Sequence, residues 1–143
     1  MYQLLYLSRA QAMTPAELHT LGTRCAANNR AAGVTGLIIH WNGCFLQLLE
    51  GEDAAVEQIF FRVTQDSRHR EVSVLDTGII PARRFDSGAT TLVDLENPPP
   101  EMTPILARHP ALSMMDPHYR DPMLAFVLLF DVHHCLQGGR LAA

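Results

Sequence analysis

Apolar positions along the chain fall into short blocks, and the spacing inside each block identifies its element. Tyr2 to Leu7 is a largely apolar run with aromatic content and predicts a strand. Thr14-Pro15-Ala16-Glu17 then opens a helix: Thr14 is the N-cap, Pro15 the first helical residue, and Glu17 completes a capping box. Leu18, Leu21 and Cys25 follow at helical spacing, and Asn28-Asn29 predicts the helix end. Val34 to Trp41 and Cys44 to Glu50 are two apolar runs separated by Asn42-Gly43, the favoured pair for a type I′ hairpin. Gly51-Glu52-Asp53 introduces a second helix from Ala54 to about Gln65, with Val56, Ile59, Phe60 and Val63 on its apolar face. Glu71 to Ile80 predicts a fourth strand and Ala89 to Leu95 a fifth.

This order, β-α-β-β-α-β plus one strand, is an α+β pattern of ferredoxin-like type with both helices on one sheet face. That arrangement normally leaves the other face polar. Here the hairpin strands GLIIHW and CFLQLLE are apolar on both faces, so something must cover the second one. The rest of the chain supplies it. Glu96-Asn97-Pro98-Pro99-Pro100 is a stiff linker, Met102 to Ala107 predicts a short helix, and Asp121-Pro122 caps a strongly apolar helix from Met123 to about Leu136. Leu124, Phe126, Val127, Leu128, Leu129, Phe130 and Val132 run nearly all round that helix, which predicts burial on more than one side, against the sheet, a second subunit or both. The chain thus divides into residues 1–95 and a C-terminal helical extension, 96–143, whose last residues, Gly138 to Ala143, are expected to fray.

Composition narrows the function classes. With 143 residues, 48% of them apolar and 18% charged, the chain suits one folded unit with its own core. A formal net charge of −4 argues against a nucleic-acid surface. The longest apolar candidate, Met123 to Phe130, is far short of a bilayer span, and the N-terminus lacks the pattern of a signal peptide, so no membrane role and a cytoplasmic location are expected. The three cysteines, Cys25, Cys44 and Cys135, have no metal-ligand spacing and leave one unpaired, which fits a reducing compartment.

Candidate chemistry begins with absences. The sequence has no G-x-G-x-x-G, Walker A loop, G-x-S-x-G or H-E-x-x-H. The histidines are scattered, and the adjacent His133 and His134 diverge on a helix, so no metal site is expected. Cys25 beside Arg24 reads either as a low-pKa thiolate or as a small packed residue on the first helix. Four polar positions stand out: Tyr6, Asn29, Gln47 in FLQLLEG, and the cluster Asp66-Ser67-Arg68-His69. With both helices on one sheet face, all four border a single cleft. The simpler account has Tyr6 and Gln47 satisfying each other while Asn29 and Asp66 cap helix ends, and the residues alone leave both open.

Linked motifs add a resemblance. LLYLSRA with Tyr6, CAANNRAAGVTGLII with Asn28 and Asn29, FLQLLEG with Gln47, RVTQDSRH with Asp66, Arg68 and His69, and IPARRF together resemble the BLUF family of blue-light sensors using FAD. Order and spacing over residues 1 to 95 agree with that family, apart from a slightly short connection after Tyr6. The resemblance implies a short stand-alone photoreceptor, not an enzyme, holding FAD (FMN or riboflavin being alternatives) without a covalent bond. It implies that Leu21 and Val63 pinch the ring between the helices. Asn29, with Asn28 beside it, would meet the ring's polar edge, and Arg68, His69 and Asp66 the other carbonyl and the ribityl chain. Gln47 would bridge flavin and Tyr6.

The same resemblance implies a mechanism. Excited flavin takes an electron and a proton from the tyrosine, the glutamine amide rearranges, and a new hydrogen-bond network shifts the absorption to the red. Output is then expected through a downstream protein or a homo-oligomer. One departure concerns signal relay. The family carries Trp and Met on the last strand where this chain has Gly88 and Thr90, and its single tryptophan, Trp41, is on the hairpin. Thr90 would offer Gln47 a hydroxyl in place of the methionine. The competing reading is a light-insensitive BLUF-like interaction module.

Overall fold

A computed structural model describes residues 1–85 and 90–141. Strands β1 (Tyr2–Ala10), β2 (Thr35–Trp41), β3 (Cys44–Gly51), β4 (His69–Ile79) and β5 (Thr90–Asp94) alternate with helices α1 (Pro15–Ala31) and α2 (Asp53–Gln65) in the expected order. They form one sheet in the order β4-β1-β3-β2-β5, antiparallel except for the parallel β2–β5 pair. The capping box is present: the Glu17 backbone N–H donates to Thr14 Oγ1 at 3.1 Å, and the Thr14 N–H donates to Glu17 Oε1 at 3.1 Å. Asn42 and Gly43 both have positive φ, 51° and 69°, as a type I′ turn requires.

Helix α1 runs past Asn28-Asn29, its expected end. It stops in a Schellman arrangement: Val34 N–H donates to Asn29 O at 2.8 Å and Gly33 N–H to Arg30 O at 3.1 Å, with Gly33 at φ +71°. The asparagines therefore lie inside the last turns and not at the cap. Strand β4 begins at His69 rather than Glu71, because β1 continues to Ala10 and Ala10 pairs with His69. The fifth strand begins at Thr90 among the described residues, and Gly88 lies outside them.

The second sheet face is covered as its apolar pattern demands. Leu5, Leu7, Leu37, Ile39, Leu46 and Leu48 pack in one cluster with residues from the C-terminal helices α3 (Thr103–Arg108) and α4 (Pro122–Leu136). Ala125, Phe126, Leu128, Leu129, Val132 and Cys135 are the buried contribution of α4 to it. Burying a leucine fully is worth about 1.5–3 kcal/mol, so this face is a main source of stability. Trp41 belongs to this cluster, on the side away from the helices α1 and α2. The other side of α4 leaves Met123, Val127 and Phe130 exposed. Among the described residues no helix is long and apolar enough to cross a membrane, no group of three or more potential ligands gathers for a metal ion, and all three cysteines are free thiols.

Candidate flavin cleft

On the face carrying α1 and α2 the apolar core is split. Leu4, Tyr6, Val34, Leu49, Val56 and Ile59 form one cluster with α2, while Leu18, Leu21, Ile38 and Phe45 form another with α1. Gln47 stands opposite both Tyr6 and Ile38 in the strand registers, one residue from each cluster. It occupies the seam. Above the seam lies a cleft of about 250 Å³ between the helices. Leu21, Cys25 and Asn29 wall it from α1, Ile59 and Val63 from α2, and Gln47 forms its base.

Gln47 is fully enclosed in β3, where every residue is buried. The Tyr6 hydroxyl, also wholly buried, donates to Gln47 Oε1. An amide has two donor hydrogens besides its acceptor, so Gln47 Nε2 remains for whatever enters the cleft. Burial pushes the Tyr6 phenol well above its ordinary value of 10.0, with Cys25 and Asp66 adding to the rise, so it stays protonated. The buried amide of Gln47 thus has its partner in Tyr6.

Asn29 is a wall residue and not a cap. Its Nδ2 donates to Thr90 Oγ1 at 2.6 Å. The hydroxyl of Thr90 is therefore directed to Asn29 and not to Gln47, which corrects the expected substitution for methionine. Register explains the difference: Gln47 faces Ile38, Ile38 faces Leu92 on β5, and Thr90 lies one step further along, opposite Gly36.

The opposite end of the cleft is polar and charged. Arg68 grips Asp66 through Nε to Oδ1 at 2.9 Å and Nη2 to Oδ2 at 2.6 Å, while its backbone N–H donates to Oδ1 at 3.0 Å. These bonds hold the Asp66 carboxyl below its ordinary range and raise Arg68. His69 Nδ1 lies 2.9 Å from Ser8 Oγ, with the Phe45 ring centroid 4.7 Å from its own. Burial pushes its imidazole down to about 4, with Asp66 pulling the other way and Arg68 reinforcing the drop. His69 is therefore neutral at pH 7 and presents one donor and one acceptor nitrogen. Cys25 is not an activated thiolate: burial raises its thiol, and Arg68 offsets this only in part.

Leu21, Asn28, Asn29, Gln47, Val63, Asp66, Arg68 and His69 are thus gathered around one cleft, and Tyr6 reaches it through Gln47. Four lining residues escaped the sequence reading as site residues: Arg24, Cys25, Ile59 and Arg62. Their signal was the helical spacing of their neighbours. Leu21, Arg24, Cys25 and Asn28 share one face of α1, and Ile59, Arg62 and Val63 follow the same 0, 3, 4 spacing on α2, with Asp66 just past its end. Each helix places one arginine at the cleft.

Comparison with known proteins converges on the same region. The sequence profile described as "BLUF: Sensors of blue-light using FAD" matches residues 1–90. The photoactivated adenylate cyclase subunit beta of Euglena gracilis is 32% identical over 85 residues, which is 59% of this chain and 10% of that protein. The blue light- and temperature-regulated antirepressor BluF of Escherichia coli (strain K12) is 37% identical over 67 residues, covering 47% of this chain and 17% of the antirepressor. This chain therefore spans only a small part of these relatives. Among solved structures, the dark state of BlrB, a BLUF protein, superposes with a TM-score of 0.65 at 26% identity over 75% of this chain and 79% of the other. With more than half its length matched, and with the fold shared, this chain belongs to the BLUF family of blue-light sensors using FAD.

Proposed function

We propose that this protein is a blue-light photoreceptor in which Tyr6 and Gln47 are the photoactive pair. The observation that carries the reading is the buried Tyr6 hydroxyl donating to Gln47 Oε1 at the base of a cleft between two helices. The donor set suits a flavin ring. Leu21, Ile59 and Val63 offer apolar walls, Gln47 Nε2 and the Asn29 amide offer partners for ring nitrogens and carbonyls, and Arg68 and His69 lie at the other end. A volume of about 250 Å³ is small for a whole dinucleotide, so the ring would sit inside and the remainder outside. FAD is the flavin we propose, with FMN and riboflavin as alternatives.

When bound, flavin supplies light absorption and an electron acceptor. The rest is the work of this chain. Tyr6 is a protonated phenol with its O–H already aimed at an amide oxygen, so when the phenol gives up an electron to an acceptor in the cleft its proton can pass along that bond to Gln47 Oε1 while Gln47 Nε2 gives one up toward the cleft. Gln47 has donor and acceptor at opposite ends of one amide; turning or tautomerising it reverses the pattern shown to the cleft. Asn29 fixes the ring edge, and neutral His69 adds no charge to the site. Residues 1–95 would form this sensing unit, with 96–143 as the output segment, acting through a partner protein or self-association in the cytoplasm and without enzymatic turnover of its own.

Dark and lit absorption spectra of the purified, flavin-loaded protein test the reading. A small reversible red shift is expected, and Tyr6→Phe should abolish it while retaining flavin. A protein that takes up none of FAD, FMN or riboflavin would refute the reading. A second reading, the light-insensitive interaction module, is favoured by Thr90 at the methionine position and its attachment to Asn29; a flavin-loaded protein without the shift would select it.

A further inference from the structure

A short polar link leaves the cleft toward the sheet edge. Asn29 Nδ2 donates to Thr90 Oγ1 at 2.6 Å, and both residues are 2% exposed. Both ends are rigid. The Asn29 backbone is locked by the helix termination, where Asn29 O accepts from Val34 N–H at 2.8 Å and Ala32 N–H at 3.1 Å. Thr90 opens β5 in register with Gly36, and its β-branched side chain has few rotamers. Only the side-chain torsions of Asn29 remain free, and the hydroxyl restricts them. The bond takes one of the amide's hydrogen-bonding positions and leaves Oδ1 and the second Nδ2 hydrogen for a ligand. Without the hydroxyl, a buried N–H would lose its partner and the amide would be free to turn toward another.

We propose that Thr90 is a positioning residue for the bound ring, acting through the Asn29 amide and tying the ring's polar edge to β5. This rests on the flavin reading above. It assigns Thr90 a role at the ring edge through Asn29, separate from the Tyr6–Gln47 hydrogen bond.

Thr90→Val keeps shape and branching but removes the hydroxyl; Thr90→Ser keeps the hydroxyl. In nitrogen–proton NMR spectra of the whole protein, the two Asn29 side-chain amide protons should be well separated in wild type and Thr90→Ser and should converge in Thr90→Val. Flavin affinity should fall about threefold to tenfold in Thr90→Val, the value of one neutral hydrogen bond, and recover in Thr90→Ser. Infrared carbonyl bands of the bound flavin should move in Thr90→Val alone, a change that a purely structural tie between α1 and β5 would not cause. Unchanged amide protons, or carbonyl bands and affinity that coincide in all three proteins, would overturn the role of Thr90 while leaving the photoreceptor reading intact. A wild-type protein that takes up no flavin would overturn both.

Discussion

Tyr6 and Gln47 lose different things when the other is removed. Gln47→Leu would strand a wholly buried phenol without an acceptor, at a cost of about 1–3 kcal/mol. Tyr6→Phe strands the amide oxygen of Gln47, but that side chain lines the cleft and can turn toward water or ligand there. Urea denaturation should therefore find Gln47→Leu the less stable of the two, although both lose the light response; the reverse order would mean that the pair is not held as described. His69 gives the site a pH dependence. Its folded pKa of about 4 lies below the ordinary 6.5, so above that value both states are neutral and nothing is lost. As pH falls from about 6.5 toward 4, the unfolded chain takes a proton that the buried ring refuses, and stability drops by about 1.4 kcal/mol per pH unit. Denaturation between pH 7 and 4.5 should show that slope, and His69→Gln should flatten it. At this scale much was legible: an amide in an apolar strand demands a partner, and Tyr6 on a neighbouring central strand was an available one. The partner of Thr90 was not legible, because it depends on strand register and on how far α1 continues.

Element boundaries moved where pairing outweighed local preference. Asparagine is a poor helix former because its side chain competes for nearby backbone groups, and Asn28-Asn29 reads as a stop for that reason. In the fold the Asn29 side chain is occupied by Thr90, so the competition is removed and the helix runs to the glycine signal at Gly33. The connection between sheet faces was less legible still. Glu50, three residues beyond Gln47 on β3, is completely buried, and its carboxylate accepts from the backbone N–H groups of Arg84 at 2.8 Å and Phe85 at 2.9 Å. Phe85 in turn meets His133 and Phe130 of α4 at ring distances of 4.6 and 5.6 Å. IPARRF thus straps the end of the Gln47 strand to the C-terminal helix, a function that no residue pattern in the motif announces. Glu50→Ala should cost about 3–6 kcal/mol, from two hydrogen bonds to a carboxylate. It should also raise hydrogen exchange at the Arg84 and Phe85 amides. If those amides stay protected, the strap is held by something other than Glu50.

At the scale of the whole molecule, the two-faced sheet explains why a helix as apolar as α4 exists. The sequence pattern implied a cover for the second face and left open whether that helix would be enclosed on every side. Within one chain it is not: Leu128 and Leu129 are fully buried, while Met123 is 67% and Val127 and Phe130 are each 40% exposed. Positions 123, 127 and 130 recur at helical spacing and make one apolar stripe. The two sides should respond oppositely to substitution. Leu128→Ala opens a cavity in the shared core and should cost about 2–5 kcal/mol without altering self-association of the folded protein. Phe130→Glu gives up a partly buried ring, 40% exposed and in contact with Phe85, but spares the fully buried Leu128 and Leu129, and it places a charge in the stripe. If the stripe joins two copies, sedimentation equilibrium will show wild type and Leu128→Ala associating and Phe130→Glu monomeric at the same concentration. If all three sediment as monomers, self-association through α4 is excluded and a partner protein is the remaining route for output along this helix. Should Phe130→Glu also unfold the chain, its contact with Phe85 at 5.6 Å outweighs its exposure, and Val127→Glu, on the same stripe, becomes the variant that decides.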